Sequence, residues 1–236
     1  MIYQQYLCLR LKEDWLSSWS MLEEKPKDRK FVCLVSTGID SPVSAYIMSR
    51  YGELVLVHSY NHPFVDELDR KVFLDLAKEI QRITRKVSRI YILPHGLALK
   101  EIKEKVKDRY RCVICKRIML RYGKRIAEVE GADAVVTGDS LGQVASQTLE
   151  NLFVEQANLR FPVIRPLIGL DKEEIIGIAR KIGTFSTSTR FDLPCKAVSS
   201  RPSTRSDRDK VLEEERKIDV ERLVERIMKE AEIIDL

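Results

Sequence analysis

Short uninterrupted apolar runs recur along the chain, and between them hydrophobic residues return every three or four positions. The runs FVCLVS from 31, ELVLVHS from 53, RIYILP from 89 and ADAVVTG from 132 are too short for core helices, so they predict buried strands. Phe73, Leu76, Ala77, Ile80 and Ile83 fall on one helix face, and Ala145, Leu149, Leu152, Phe153 and Gln156 follow the same period up to its polar end. Strands taking turns with amphipathic helices predict an α/β domain with a doubly wound, mostly parallel sheet.

The pattern also sets boundaries. Residues 1–28, with Trp15, Trp19 and the turn-like EKPKD, precede the first strand as an N-terminal appendage, and residues 29–205 carry the alternating domain. Residues 206–236 read as a C-terminal amphipathic helix whose stripe is Val220, Leu223, Val224, Ile227, Met228 and Ala231. That stripe either docks on its own domain or forms a homodimer contact. The opening MIYQQYLCLRLKEDW lacks the apolar core of a signal peptide, and no stretch approaches the roughly 20 apolar residues of a membrane span, so the expectation is a soluble cytoplasmic protein without membrane contact. Five cysteines, an odd number without paired spacings, argue against a secreted disulfide scaffold and for metal binding, redox chemistry or packing. A net charge of +5 is too small to identify a nucleic-acid binder, so local clusters must decide that.

The first strand runs into STGIDS and then a helix opened by Pro42, whose missing N–H costs nothing in a first turn. Amide groups and the positive helix end at such a junction suit phosphate. Ser36, Thr37 and Ser41 add hydroxyls, and Gly38 permits close approach. Asp40 would repel a bare phosphate, so it implies bound Mg²⁺ or a turn-stabilising hydrogen bond. The loop is not GxxxxGK[ST] and has no lysine, which excludes the usual γ-phosphate chemistry.

STGIDS resembles the SGGxDS signature of PP-loop ATP pyrophosphatases, which split ATP between the α and β phosphates; Thr37 departs from the usual glycine. Two longer runs, TGDSLGQVASQTLENL at 137–152 and RPLIGLDKEEIIGIARKIGT at 165–184, resemble the tRNA 4-thiouridine synthetase family. That resemblance implies a PP-loop domain of the adenine nucleotide α hydrolase type with a five-stranded parallel sheet and ATP at the strand C-termini. It gives Asp40 a place at the pyrophosphate or its metal and Lys172 the neutralising of charge during adenylation, and makes Gly138, Asp139 and Gln143 candidates for nucleotide contact. The activity implied is adenylation of uridine O4 followed by its replacement with sulfur. A different small molecule or RNA as substrate, and a non-catalytic nucleotide-binding partner, are the alternatives.

Cys112 and Cys115 form CVIC, and Cys195 lies far along the chain in DLPCKAV. By spacing alone the CxxC fits a redox pair or half of a zinc site. The resemblance implies instead that the three thiols hold an iron–sulfur cluster of the [4Fe–4S] type, or that Cys195 carries a persulfide resolved by Cys112 or Cys115. Around CVIC the run KDRYRCVICKRIMLRYGKR is basic, and Arg109, Arg111, Lys116, Arg117 and Arg121 are candidate tRNA contacts interleaved with Tyr110 and Tyr122. The alternative is a helix face whose Arg117 and Arg121 pair with acids. Family members usually carry a THUMP-containing region ahead of the PP-loop, whereas only residues 1–28 stand there, so a THUMP-type partner protein, a dimer or a changed substrate is expected.

Overall fold

A computed structural model describes residues 29–142, 147–191 and 193–236. The strands are β1 (Arg29–Leu34), β2 (Gly52–Ser59), β3 (Val87–Leu93), β4 (Ala134–Val136), β5 (Val163–Ile164) and β6 (Glu232–Asp235). Between them lie α1 (Asp40–Met48), α2 (Leu68–Thr84), α3 (Gly96–Lys105), α4 (Arg111–Glu130), α5 (Leu149–Gln156), α6 (Lys172–Ile182), α7 (Phe185–Ser188), α8 (Arg208–Glu215) and α9 (Val220–Lys229). They form one sheet in the order β5-β4-β1-β2-β3-β6. All pairings are parallel except the last, where β6 runs antiparallel to β3.

The apolar runs form strands because both sheet faces are covered. Phe31, Cys33, Leu54, Leu56, Ile90 and Ile92 pack on one face with Phe73, Ala77 and Ile80 of α2, while Val32, Val55, Val57 and Tyr91 pack on the other with α3, α4 and α9. The chain lays down β1, β2 and β3 in one direction, then places β4 on the opposite side of β1. This reversal opens a crevice at the C-terminal ends of β1 and β4, the position where doubly wound sheets bind ligands.

Three expectations change. The sheet has a sixth strand, because Glu232–Asp235 adds to the edge at β3. Residues 206–236 are two helices and that strand rather than one helix, and Val211, Ile218, Leu223, Val224 and Ile227 are buried in the main core. In α5 the buried side is Asn151, Leu152, Val154 and Glu155, while Leu149 and Phe153 are 67% and 70% exposed. The apolar stripe fails there because Glu155 faces the site and Asn151 is hydrogen-bonded to the backbone of Ser203 and Ser206. The N-terminal appendage, Gln143 and Ala145 lie outside the described residues.

Arg117 explains why the terminal helices belong to the domain. Its side chain is 2% exposed, and Nε and Nη2 each donate to Glu215 at 2.9 Å, while Nη1 donates to the carbonyls of Val154 and Ala157. Arg121, one turn on, pairs with the same carboxylate at 2.6 and 2.9 Å. Burial alone would raise the Glu215 carboxyl, but the two guanidinium groups bring it down to about 2. Glu215→Gln leaves a buried guanidinium without its counter-ion and is expected to cost about 3–5 kcal/mol, roughly 10 °C in Tm, measurable by calorimetry. A depressed carboxyl gives its stabilisation in full above its ordinary value of 4.5 and loses it as pH falls towards about 2. The melting deficit of the variant should therefore shrink over that interval; a constant deficit would show that the ion pair is not its source.

Candidate active site

The turn after β1 is fastened to itself by its serines. Ser36 N–H donates to Ser41 Oγ at 2.8 Å, the two hydroxyls lie 3.0 Å apart, and Gly38 N–H donates to Ser36 Oγ at 3.3 Å. Thr37 is fastened from outside: its hydroxyl donates to Asp69 Oδ1 at 2.9 Å. Asp69 Oδ2 lies 2.9 Å from His58 Nε2, and His58 Nδ1 lies 3.0 Å from the Val35 carbonyl. The ring thus bridges the Val35 carbonyl and the Asp69 carboxylate through its two nitrogens. It fixes the loop from below.

The turn after β4 closes on the loop from the other side. Ser44 Oγ donates to the Thr137 carbonyl at 2.8 Å, and a Cβ placed on Gly138 would meet Ser41 Cα and N at 2.7 Å. Gly138 therefore sits where only a bare backbone fits. Gly138→Ala should force the two turns apart and weaken binding of a phosphate ligand at the loop by at least tenfold, about 1.4 kcal/mol, as read by calorimetric titration. Unchanged affinity would show that the contact does not shape that site.

Asp40 opens α1, and Lys172 opens α6 behind the capping box of Asp171 and Glu174. Their helix starts face each other, and Lys172 Nζ donates to Asp40 Oδ1 at 2.5 Å across 132 positions of sequence. Ser36, Gly38, Asp40, Ser41, Gly138 and Asp139 all line one cavity of about 270 Å³ roofed by Met119 and Leu120 of α4. Thr37 lines a second cavity of about 330 Å³, together with His58, Asp69, Phe191 and Cys195. The two cavities share Ser36, Gly38, Ser59 and Asn61.

Cys112, Cys115 and Cys195 are free thiols, each half-buried. Burial raises the Cys115 and Cys195 thiols, and neighbouring sulfurs raise both further, so the three share one electrostatic neighbourhood. His95, wholly buried, places Nε2 3.1 Å from Cys115 Sγ. Among the described residues no three His, Cys, Asp or Glu side chains form a ready-made metal site. Thiolates are the usual ligands of an iron–sulfur cluster, and these three cysteines are the thiols the site offers.

The basic run divides, and for Arg117 and Arg121 the pairing with acids is what the structure shows. Arg117 is buried against Glu215, Arg121 pairs with the same carboxylate while a quarter of its side chain stays exposed, and Lys116 lines the first cavity. The reason is helical spacing, since 117 and 121 share the face that packs on α8. Arg111 pairs with Asp108 at 2.8 Å, whereas Arg109 is exposed beside the Tyr110 ring. Sequence reasoning also passed over the His58–Asp69 pair and the buried group around Glu155. Asp69 could be read only as a first-turn acid, and Glu155 as an exposed helix position.

A doubly wound sheet with a Ser/Gly loop opening a helix at its reversal point, and an acid–lysine pair beside it, defines a PP-loop nucleotide-binding domain. Comparison with known proteins narrows this. The chain belongs to the family described as thiamine biosynthesis protein (ThiI), whose model matches residues 27–220. A probable tRNA sulfurtransferase of Methanosarcina mazei is 38% identical over 209 residues, covering 88% of this chain and 52% of that protein. One of Thermus thermophilus is 42% identical over 208 residues, covering 87% and 51%. The chain spans about half the length of the curated relatives it matches. Among solved structures, a 4-thiouridine synthetase–RNA complex with bound ATP superposes with a TM-score of 0.83 at 32% identity, over 87% of this chain and 55% of that one. NMN synthetase from Francisella tularensis shares the fold alone, with a TM-score of 0.50 at 13% identity over 92% of this chain and 82% of that one.

Proposed function

We propose that this chain is the catalytic part of an ATP-dependent tRNA sulfurtransferase that converts uridine to 4-thiouridine. The observation that carries the reading is that the phosphate-type loop and the thiol of Cys195 line two cavities that meet at Ser36, Gly38, Ser59 and Asn61. ATP enters the first cavity and the uracil base the second. O4 of the base attacks the α-phosphorus, the bond to the β-phosphate breaks, and pyrophosphate leaves with the electron pair. Hydrosulfide sulfur then adds at C4 and AMP departs with O4. The N3 proton released in the first step is replaced by the proton of the hydrosulfide.

The chain's own groups have distinct tasks. The loop amides and the start of α1 receive the phosphates, Asp40 would hold Mg²⁺, which supplies positive charge beside them, and Lys172 is placed to neutralise the developing negative charge. The His58–Asp69 pair keeps Thr37 and Val35 in place while this happens. Cys112, Cys115 and Cys195 would hold an iron–sulfur cluster, which when bound supplies sulfur next to the adenylated base. With Arg117 and Arg121 committed to Glu215, the grip on tRNA falls to other surfaces, including Arg109 and a THUMP-type region or partner protein.

The test combines tRNA, Mg-ATP and sulfide under anaerobic conditions, with AMP and 4-thiouridine followed by chromatography and mass spectrometry. Equal formation of both, dependent on tRNA, is the expected result. AMP formed with a small molecule and not with tRNA would move the substrate away from RNA.

A further inference from the structure

The first cavity holds a residue that neither the loop nor the thiols account for. Its lining includes three acids, Asp40, Asp139 and Glu155, and among the described residues a single cation, Lys116. A cavity offered to a triphosphate cannot present only carboxylates, and Lys172 stands outside the lining, paired with Asp40. Lys116 is the cation already inside.

Its placement is built. Lys116 Nζ donates to Asp139 Oδ1 at 2.8 Å and lies 3.7 Å from Glu155 Oε1, so the turn after β4 and helix α5 both orient it. Asp139 is fixed in turn, accepting from the Thr137 hydroxyl at 2.7 Å and lying 3.5 Å from Arg165 Nε. Two further observations mark the place as prepared for a ligand. Glu155 and Gln147 are 2% and 8% exposed, and each leaves a buried oxygen without a hydrogen-bond partner against the same cavity. Burial, against the pull of Lys116, also holds the Glu155 carboxyl up to about 8. Lys116 Nζ thus stands in the cavity lining, oriented by two buried acids and placed to meet an anion that enters.

We propose that Lys116 contacts the α-phosphate of the bound adenine nucleotide, as a second cation on the opposite side of the loop from Lys172. This rests on the nucleotide reading above and adds a residue to it. Asp139 is its positioning residue, holding Nζ until the phosphate arrives. Because Lys116 follows Cys115 directly in α4, the helix that carries the thiol also carries the contact to the phosphorus under attack.

AMP differs from adenosine only by that phosphate, so their affinities isolate it. Calorimetric titration of wild type, Lys116→Met and Lys116→Arg with AMP, ATP and adenosine is the experiment, with melting curves as a folding control. The expected result is a loss of at least tenfold for AMP and ATP in Lys116→Met, unchanged adenosine affinity, and partial recovery in Lys116→Arg. Equal losses for adenosine and AMP, or no loss for either, would overturn the assignment while leaving the nucleotide site intact. Wild-type protein that binds no adenine nucleotide would overturn the nucleotide reading itself, and this contact with it. If Lys116→Met fails to fold, Asp139→Asn serves instead: loss confined to AMP and ATP supports the assignment, and wild-type affinity for both counts against it.

Discussion

Lys172→Ala is expected to lower tRNA-dependent AMP formation by roughly 10²- to 10³-fold while leaving the melting temperature close to that of the wild type. The side chain is partly exposed and apolar packing does not depend on it; its place is set by the capping box of α6, which the substitution leaves in place. What is lost is one positioned cation beside Asp40 at the start of α1. Substitution of Asp40 by alanine should give a similar loss, because Lys172 loses the carboxylate that positions it. Single-turnover quench measurements of AMP would separate this from weaker RNA binding, because saturating tRNA cannot restore a missing contact in the transition state. Wild-type turnover in either variant removes that residue from the mechanism.

The second large effect concerns sulfur. Cys195→Ala should abolish 4-thiouridine formation and keep the ATP half of the reaction, since Cys195 lines the second cavity and not the first. AMP would then be released without thiolation. Cys112→Ala should behave alike and also lose any visible absorption of anaerobically purified protein, which ties the trio to one group instead of to separate thiols. Undiminished 4-thiouridine in Cys195→Ala would dismiss both the cluster and the persulfide schemes. Thiolation kept in Cys112→Ala but lost in Cys195→Ala would leave a single-thiol route.

Much of this arrangement was legible in the residues. Four of the strands are uninterrupted apolar runs because both sheet faces are covered, and that signal is local. STGIDS between a strand and a helix with proline in its first turn is local as well. The edge strand β6 was not legible: Glu232–Asp235 is short and largely exposed, and it becomes a strand only by adding to β3, which lies far earlier in sequence. The same holds for the basic run. Its charges count alike in the sequence, yet α4 sends Lys116 to the cavity and Arg117 to Glu215, and only the packing partner distinguishes neighbouring positions. Asp69 and Glu155 show the converse. Acids on amphipathic helices read as solvated, and what buries them is a His58 or a Lys116 contributed by a different element.

The tie between Arg117 and Glu215 bears on the order of events during synthesis. Helix α4 carries Cys112, Cys115 and Lys116, but its buried guanidinium meets its carboxylate only once residue 215 has left the ribosome. A nascent chain halted between α7 and α8 would hold β1 to β5 and every loop of the site, with an unneutralised cation at its centre. Competence to bind nucleotide should therefore emerge abruptly once α8 is free to pack, not gradually as the loops appear. Stalled chains of graded length, probed by limited proteolysis, would display that step once residue 215 has cleared the ribosome.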